Sequence, residues 1–249
     1  MSTKSLIVKD NRLIEASYRL DLAEQRLVLL AIVRARETGV ALTADQWIQV
    51  TAREYVDACG LSPTAGYKQL KAAADSLFAR WVQIRGIDEQ TGKTGVIKTR
   101  WVSACTYVEY GALVRLQLAP VIIPYLTDLE SCFTSYQLKN VVQMSSRYAI
   151  RLFELMTQYK SIGSRYIELS ELRGYLDANE KSYDRVQNLK AKVLDIAVDQ
   201  INQYTDLLVS YNAEKLGRTV VGYHFKIEKK NEDKSLDSKK SIPAPTVVA

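Results

Sequence analysis

Hydrophobic and polar positions along this chain set out one arrangement twice. In residues 21–37 (DLAEQRLVLLAIVRARE), Leu22, Leu27, Leu30, Ile32 and Val33 make a broad apolar face while Glu24, Arg26, Arg34 and Arg36 fall toward water. That spacing predicts an amphipathic helix, ended by Gly39. Residues 47–50 alternate as a short strand. Residues 50–84 (VTAREYVDACGLSPTAGYKQLKAAADSLFARWVQI) then predict a short helix capped by Thr51, a turn containing Pro63 and a longer helix, together a helix-turn-helix over 51–80. Strands follow at 81–86 and 95–110 about the turn DEQTGKTG, with a third at 113–118, and these form the wing.

The same order recurs in the second half. Residues 145–160 (SSRYAIRLFELMTQYK) place Ile150, Phe153, Leu155 and Met156 inward and match the 21–37 helix in position, with Gly163 ending the helix. Residues 167–201 (IELSELRGYLDANEKSYDRVQNLKAKVLDIAVDQI) repeat the helix-turn-helix, with Ser170 as the capping residue and a long helix over 183–202. Its inner stripe is Val186, Leu189, Val193, Ile196, Ala197 and Ile201. Alternating strands at 207–211 and 219–227, joined by NAEKLGR, make a second wing.

Pro120, Pro124 and the polar run 127–130 place a domain boundary near residue 130. The expected fold is α+β, two tandem winged-helix domains at 1–130 and 131–230, followed by a charged, then Pro-rich tail at 231–249 that is expected to be disordered. With 249 residues and 47% hydrophobic composition the chain can bury two ordinary cores. The net charge of +6 divides unevenly, 16 basic against 14 acidic residues in 1–130 and 18 against 14 in 131–249. An anionic partner met mainly through the second domain follows. Cys59, Cys105 and Cys132 are scattered, odd in number and without metal-ligand spacing, and no apolar run has the length of a leader or a membrane span. We expect a soluble cytoplasmic protein without metal, cofactor or membrane partner.

Second helices of such motifs are the usual readers of the DNA major groove. In the second domain Tyr183, Arg185, Asn188, Lys190 and Lys192 are the candidate contacts, clustered in the N-terminal half of the reading helix with Asp195 and Asp199 further along, and Lys215, Arg218 and Lys226 belong to the adjoining hairpin. Lys68 and Lys71, after Tyr67, are the counterparts in the first domain, with Lys93, Lys98 and Arg100 on its wing. That case is weaker because Asp88 and Glu89 share the wing loop. A charged helix face is by itself an ordinary solvated surface; what argues for DNA is the placement of both sets after a short helix and before a basic hairpin. Catalysis finds no footing. His224 is the only histidine, which leaves no His-based nicking chemistry. Gly92-Lys93-Thr94 imitates the end of a phosphate-binding loop, but Ile87 stands where its first glycine belongs and a strand pattern follows.

The arm NRLIEASYRLDLAEQRLVLLAI (11–32), the segment SSRYAIRLFELMTQY (145–159) and the helix SYDRVQNLKAKVLDIAVDQINQYTDL (182–207) together resemble plasmid replication initiator proteins of the RepB/RepE type, over residues 9–228. The resemblance implies a monomer that binds directly repeated origin sequences (iterons) and a dimer that binds an inverted repeat and represses its own gene. It also implies recruitment of the host initiator DnaA and the replicative helicase, and dimerisation through the first domain, where the apolar strand 113–118 and neighbouring residues 121–123 either form the contact or pack in the domain core. Tyr183 and Arg185 match the family's Tyr-x-Arg start of the main reading helix; Lys190, Ala191 and Lys192 stand where arginines are frequent, and lysine lacks arginine's bidentate geometry toward guanine. A repressor without initiator activity is the alternative, distinguished by a lone palindrome in place of an array of repeats beside the gene. The purified chain is expected to release no phosphate from ATP and Lys93→Ala to change DNA affinity only mildly; an ATPase abolished by Lys93→Ala overturns the non-enzymatic reading.

Overall fold

A computed structural model describes residues 5–37, 42–87, 91–127 and 132–230. Gly39, Asp88 and Glu89, the expected boundary near residue 130 and the tail from Asn231 lie outside the described residues. The chain runs β1 (Leu6–Asp10), α1 (Asn11–Ile14), β2 (Ser17–Tyr18), α2 (Leu22–Glu37), β3 (Ile48–Thr51), α3 (Ala52–Cys59), α4 (Pro63–Leu77), β4 (Trp81–Ile87), β5 (Thr94–Arg100), β6 (Val102–Val108) and β7 (Leu113–Leu118). It continues through β8 (Phe133–Gln137), α5 (Lys139–Val142), α6 (Arg147–Gln158), β9 (Ser164–Glu168), α7 (Leu169–Leu176), α8 (Val186–Leu189), a π turn (Lys190–Leu194), α9 (Asp195–Tyr204), β10 (Leu207–Leu216) and β11 (Thr219–Lys229). Strand orders are β3-β7-β6, β2-β4-β5, β10-β11-β9 and β1-β8, every pairing antiparallel.

The first helix-turn-helix forms where the sequence places it, for local reasons. Thr51 and Glu54 close a capping box: the Glu54 N–H donates to Thr51 Oγ1 at 3.2 Å and the Thr51 N–H to Glu54 Oε2 at 2.8 Å. Gly60 takes the left-handed conformation (φ 62°) that ends α3, and Ser62 with Pro63 starts α4. The two helices cross at Gly66, where an added Cβ would lie 2.2 Å from Val56 Cγ2.

Elsewhere long-range packing overrides local pattern. Ser170 does not cap α7; it lies inside the helix, its hydroxyl donating to Glu168 Oε1 at 2.8 Å, and Glu168 holds the cap position. The expected strand 95–110 divides at Trp101, a fully buried ring set edge-on to Tyr18. Its two halves join different sheets: β5 pairs with β4, while β6 pairs with β7. The strand β7 lies between β3 and β6 with Val114, Leu116 and Leu118 in the core, so it is not free for a dimer contact. In the long helix, Tyr183 belongs to a separate 3-10 turn, and the π turn shifts the apolar stripe so that Leu194 is buried and Ile196 exposed. The loop NAEKLGR contracts to the two-residue turn Gly217–Arg218, where glycine supplies φ 64°.

Glu24 and Arg26, expected in water, are buried. Glu24 accepts hydrogen bonds from Arg80 Nε at 2.8 and 2.9 Å and from the Ser76 hydroxyl, while Arg26 donates to the carbonyls of Val142 and Met144 at 2.8 and 3.0 Å. A larger network surrounds α6, which is buried on all sides. Glu154, 1% exposed, accepts from Lys9 Nζ at 2.6 Å, Tyr136 Oη at 2.5 Å and Arg151 Nη1 at 3.1 Å. Arg151 also donates to the Tyr18 hydroxyl and to the carbonyls of Ile14, Ala16 and Tyr175 at 2.8, 2.9 and 3.0 Å. The N-terminal arm, paired through β1 to β8, is thereby fixed to α6 by paired buried charges.

Two outcomes follow from this packing. Gly66→Ala should lower stability, because overpacking costs about 1–3 kcal/mol against a helix-propensity gain of about 1 kcal/mol, and Val56→Ala in the same chain should restore it in thermal melts. Burial pushes the Glu154 carboxyl up, but Lys9 and Arg151 outweigh it and hold its pKa below the usual carboxylate range. The group therefore stabilises the fold above its unfolded pKa, a contribution lost as pH falls through the folded value. Glu154→Gln should cost about 3–5 kcal/mol at neutral pH, by leaving Lys9 and Arg151 without a counter-charge, and should flatten the acid limb of stability against pH in denaturant titrations.

Candidate nucleic-acid interface

The second helix-turn-helix comprises α7 and the helix that runs from Val186 through the π turn to Tyr204, with the β10–β11 hairpin beside it. Asp177, in the left-handed conformation at φ 50°, ends α7. Arg173 then ties down the approach to the reading helix, donating to the carbonyls of Tyr183 and Asp184 at 2.7 and 3.3 Å. Tyr183 turns inward: its ring meets Tyr148 edge-on at 6.0 Å, the Tyr148 hydroxyl donates to its oxygen at 3.3 Å, and this contact with partial burial pushes the Tyr183 phenol up to about 12. Asn188 donates its side-chain amide to the Ser182 carbonyl at 2.8 Å. These two residues hold the helix start rather than project from it.

Arg185 and Lys192 are exposed and, among the described residues, unpaired. Lys190 is engaged. Its Nζ lies 2.9 and 2.8 Å from Asp195 Oδ1 and Oδ2 and 5.7 Å from the centre of the Tyr211 ring, and the Tyr211 hydroxyl donates to Asp195 Oδ1 at 2.5 Å. Partial burial pushes the Asp195 carboxyl up, but Lys190 and Tyr211 outweigh it and hold it below the ordinary range. The acidic residue expected further along the helix thus sits on the basic cluster. Its spacing hid this: on a regular helix positions i and i+5 are about 140° apart, and the π turn brings them onto one face.

Lys215 and Arg218 stand at the exposed end of the β10–β11 hairpin. Lys226 does not. It pairs with Ser210 and Ser164 in the three-stranded part of the sheet, about 25 Å of strand from the turn, and its ammonium lies 2.8 Å from Glu228. His224 faces Glu214 at 3.2 Å and stacks near Tyr166, whose hydroxyl crosses Gly222 where a Cβ would lie 2.4 Å away.

In the first unit α4 exposes Tyr67 and Lys68, while Lys71 is held 2.6 Å from Glu109 at the end of the β6–β7 connection. Lys93 occupies the exposed β4–β5 turn and leads into a strand, not a helix. Lys98 and Arg100 lie back on β5, both 5.0 Å from the centre of the Trp81 ring; Arg100 also donates to the Phe78 carbonyl at 2.7 Å. Both rest on an exposed indole instead of pointing from a tip. The ion pairs that tie α6 and the arm to the turn after α7 were missed in the sequence: Arg147 of α6 lies 3.2 Å from Asp177 and 3.7 Å from Glu180, and Arg19 of the arm 3.3 Å from Glu180. Among the described residues no group of three acidic, Cys or His side chains is placed to hold a metal, and no helix is long and apolar enough to cross a membrane.

Comparison with known proteins agrees with this architecture. The family described as "Initiator Replication protein, WH1" matches residues 6–157, and "Initiator Rep protein, WH2" matches residues 168–227. A 27.6 kDa uncharacterised protein of Escherichia coli is 23% identical over 226 residues, covering 88% of this chain and 93% of its own length. The Pi initiator protein, solved in complex with iteron DNA, superposes with a TM-score of 0.75 at 20% identity over 94% of this chain and 100% of that one. The WH1 domain of MSBI1.176, a replication protein isolated from a multiple sclerosis patient, is 38% identical over 45% of this chain and 84% of its own, with a TM-score of 0.39. The chain belongs to the initiator replication protein family and contains both of its winged-helix regions, WH1 and WH2.

Proposed function

We propose that this chain is a non-enzymatic plasmid replication initiator, which binds directly repeated iteron sequences at an origin as a monomer and represses its own gene as a dimer on an inverted repeat. The observation that carries the reading is the pairing, within one winged-helix unit, of an exposed basic reading helix (Arg185, Lys190, Lys192) with a basic hairpin end (Lys215, Arg218). Membership of the initiator family and the likeness of the fold to the Pi initiator support it. Binding supplies the energy: several monomers on adjacent repeats strain the neighbouring duplex, which the host initiator DnaA and the replicative helicase then open in the bacterial cytoplasm.

The second unit is the main reader and the first the secondary one. Among the described residues Arg185 and Lys192 are exposed and unpaired, with Lys190 beside them and Lys215 and Arg218 on the adjoining hairpin; of the first unit's candidates Lys68 and Lys93 are comparably free, whereas Lys71 pairs with Glu109 and Lys98 and Arg100 lie on Trp81. The dimer forms through the first domain. With β7 taken up in the core, the exposed Ile87, Val96 and Ile97 of the β4–β5 hairpin supply its apolar contact.

Gel shifts with DNA flanking the gene test this directly. Lys190→Ala with Lys192→Ala should weaken repeat binding more than Lys68→Ala with Lys71→Ala; each lost phosphate contact should lower the salt slope by about one, and each lost base contact should cost about 1–3 kcal/mol. Equal losses overturn the ranking. Symmetry separates the two forms, since a two-fold dimer matches a palindrome and monomers match sites in one orientation. Sedimentation should give one protomer per direct repeat and two per inverted repeat; equal stoichiometry and affinity on the two overturn the switch.

A further inference from the structure

We infer that Asp195 is a specificity-determining positioning residue, which together with Tyr211 holds the Lys190 ammonium at a fixed point so that this lysine reads a base edge rather than any nearby phosphate. The inference rests on the assignment of the 186–204 helix as the DNA reader.

Lysine is a poor base reader when free, because a point charge on four rotatable bonds finds many phosphate positions with similar energy. Here that freedom is removed. The π turn Lys190–Leu194 brings residue 195 onto the face of residue 190, and both carboxylate oxygens of Asp195 engage Nζ at 2.9 and 2.8 Å. The carboxylate is itself fixed from a different element, β10, through the Tyr211 hydroxyl at 2.5 Å, and the Tyr211 ring lies 5.7 Å from the same ammonium. An ammonium has three donors, so engagement with one carboxylate leaves capacity for an acceptor on a base. Lys192, two residues on, has no such partner among the described residues and keeps the freedom suited to phosphate. Asp195 also keeps a negative charge on the reading face, which opposes indiscriminate attraction to the DNA backbone. A helix with arginine at this position would hold its geometry in the guanidinium plane; this chain holds it in a three-residue arrangement.

The test uses the full chain, a duplex carrying the repeat recovered from the DNA flanking the gene, every single-base-pair variant of that duplex, and poly(dI-dC). Asp195→Asn keeps the size of the side chain and its acceptor for Tyr211, and thermal melting checks that the fold is retained. The expected result is that binding to poly(dI-dC) tightens roughly twofold to fivefold with a salt slope steeper by about one. Discrimination at one base pair should fall roughly fivefold to hundredfold. Lys190→Ala should erase discrimination at that same base pair, Asp195→Asn in the Lys190→Ala chain should erase nothing more, and Tyr211→Phe should erase part of it. Unchanged discrimination in Asp195→Asn, or additive losses in the double variant, overturn the inference while leaving DNA reading intact. A wild-type chain that prefers no duplex over poly(dI-dC) overturns the reader assignment and this inference with it.

Discussion

Three charged side chains buried together, Lys9, Arg151 and Glu154, set the arrangement of everything else in this molecule. Each is costly to bury alone: Glu154 pairs with both cations and accepts from Tyr136, Arg151 donates also to the Tyr18 hydroxyl and three main-chain carbonyls, and Lys9 is held by Glu154. The three come from the arm and from α6, so the network is complete only when the arm crosses to β8 and α6 lies against the arm, Tyr136 and the Tyr175 carbonyl. The reading helix inherits that placement: Tyr183 rests on Tyr148 of α6, and Arg19 of the arm reaches Glu180 just ahead of it. The position of the helix proposed to read DNA is thus fixed by residues more than 150 positions away in sequence.

Much of the fold was legible because its determinants are local. Thr51 with Glu54, Gly60 and Ser62-Pro63 punctuate the first helix-turn-helix within a dozen residues, and the apolar spacing of 21–37 and 145–160 marks α2 and α6. The same rule misread Ser170, whose hydroxyl donates to the neighbouring Glu168 instead of accepting from a free N–H group. Patterning could not divide residues 95–110, since both halves alternate as strands; the division is made by Trp101, whose burial against Tyr18 depends on a contact 83 residues away in sequence.

The candidate site was legible as a region and less so as individual side chains. Arg185, Lys192, Lys215 and Arg218 stand exposed where the helix and hairpin pattern put them. Tyr183 and Asn188 share that stretch but are consumed by its internal bonding, and Lys226, counted with the basic hairpin, lies on β11 in the three-stranded part of the sheet, away from the turn. Glu24 and Arg26 looked like solvent positions because a helical wheel sees one face to bury, whereas α2 is wrapped on several sides and satisfies its charges through Arg80 and main-chain carbonyls. The Lys190–Asp195 pair escaped for a related reason: sequence periodicity assumes 3.6 residues per turn, and a single π turn breaks the count.

The pairing of β1 with β8 has a bearing on how the chain is made. Leu6–Asp10 leave the ribosome early, yet their strand partners, Phe133–Gln137, and the carboxylate that neutralises Lys9 follow more than 120 residues later. At ordinary elongation rates of about 5–20 residues per second the arm waits on the order of ten seconds, with an unpaired edge and apolar side chains facing water. The charge on Lys9 keeps that waiting segment soluble; the same charge becomes buried once α6 arrives. Closure of the two-unit body is therefore a late, non-local event in synthesis, and a nascent chain stopped before β8 holds a β1 segment without its strand partner.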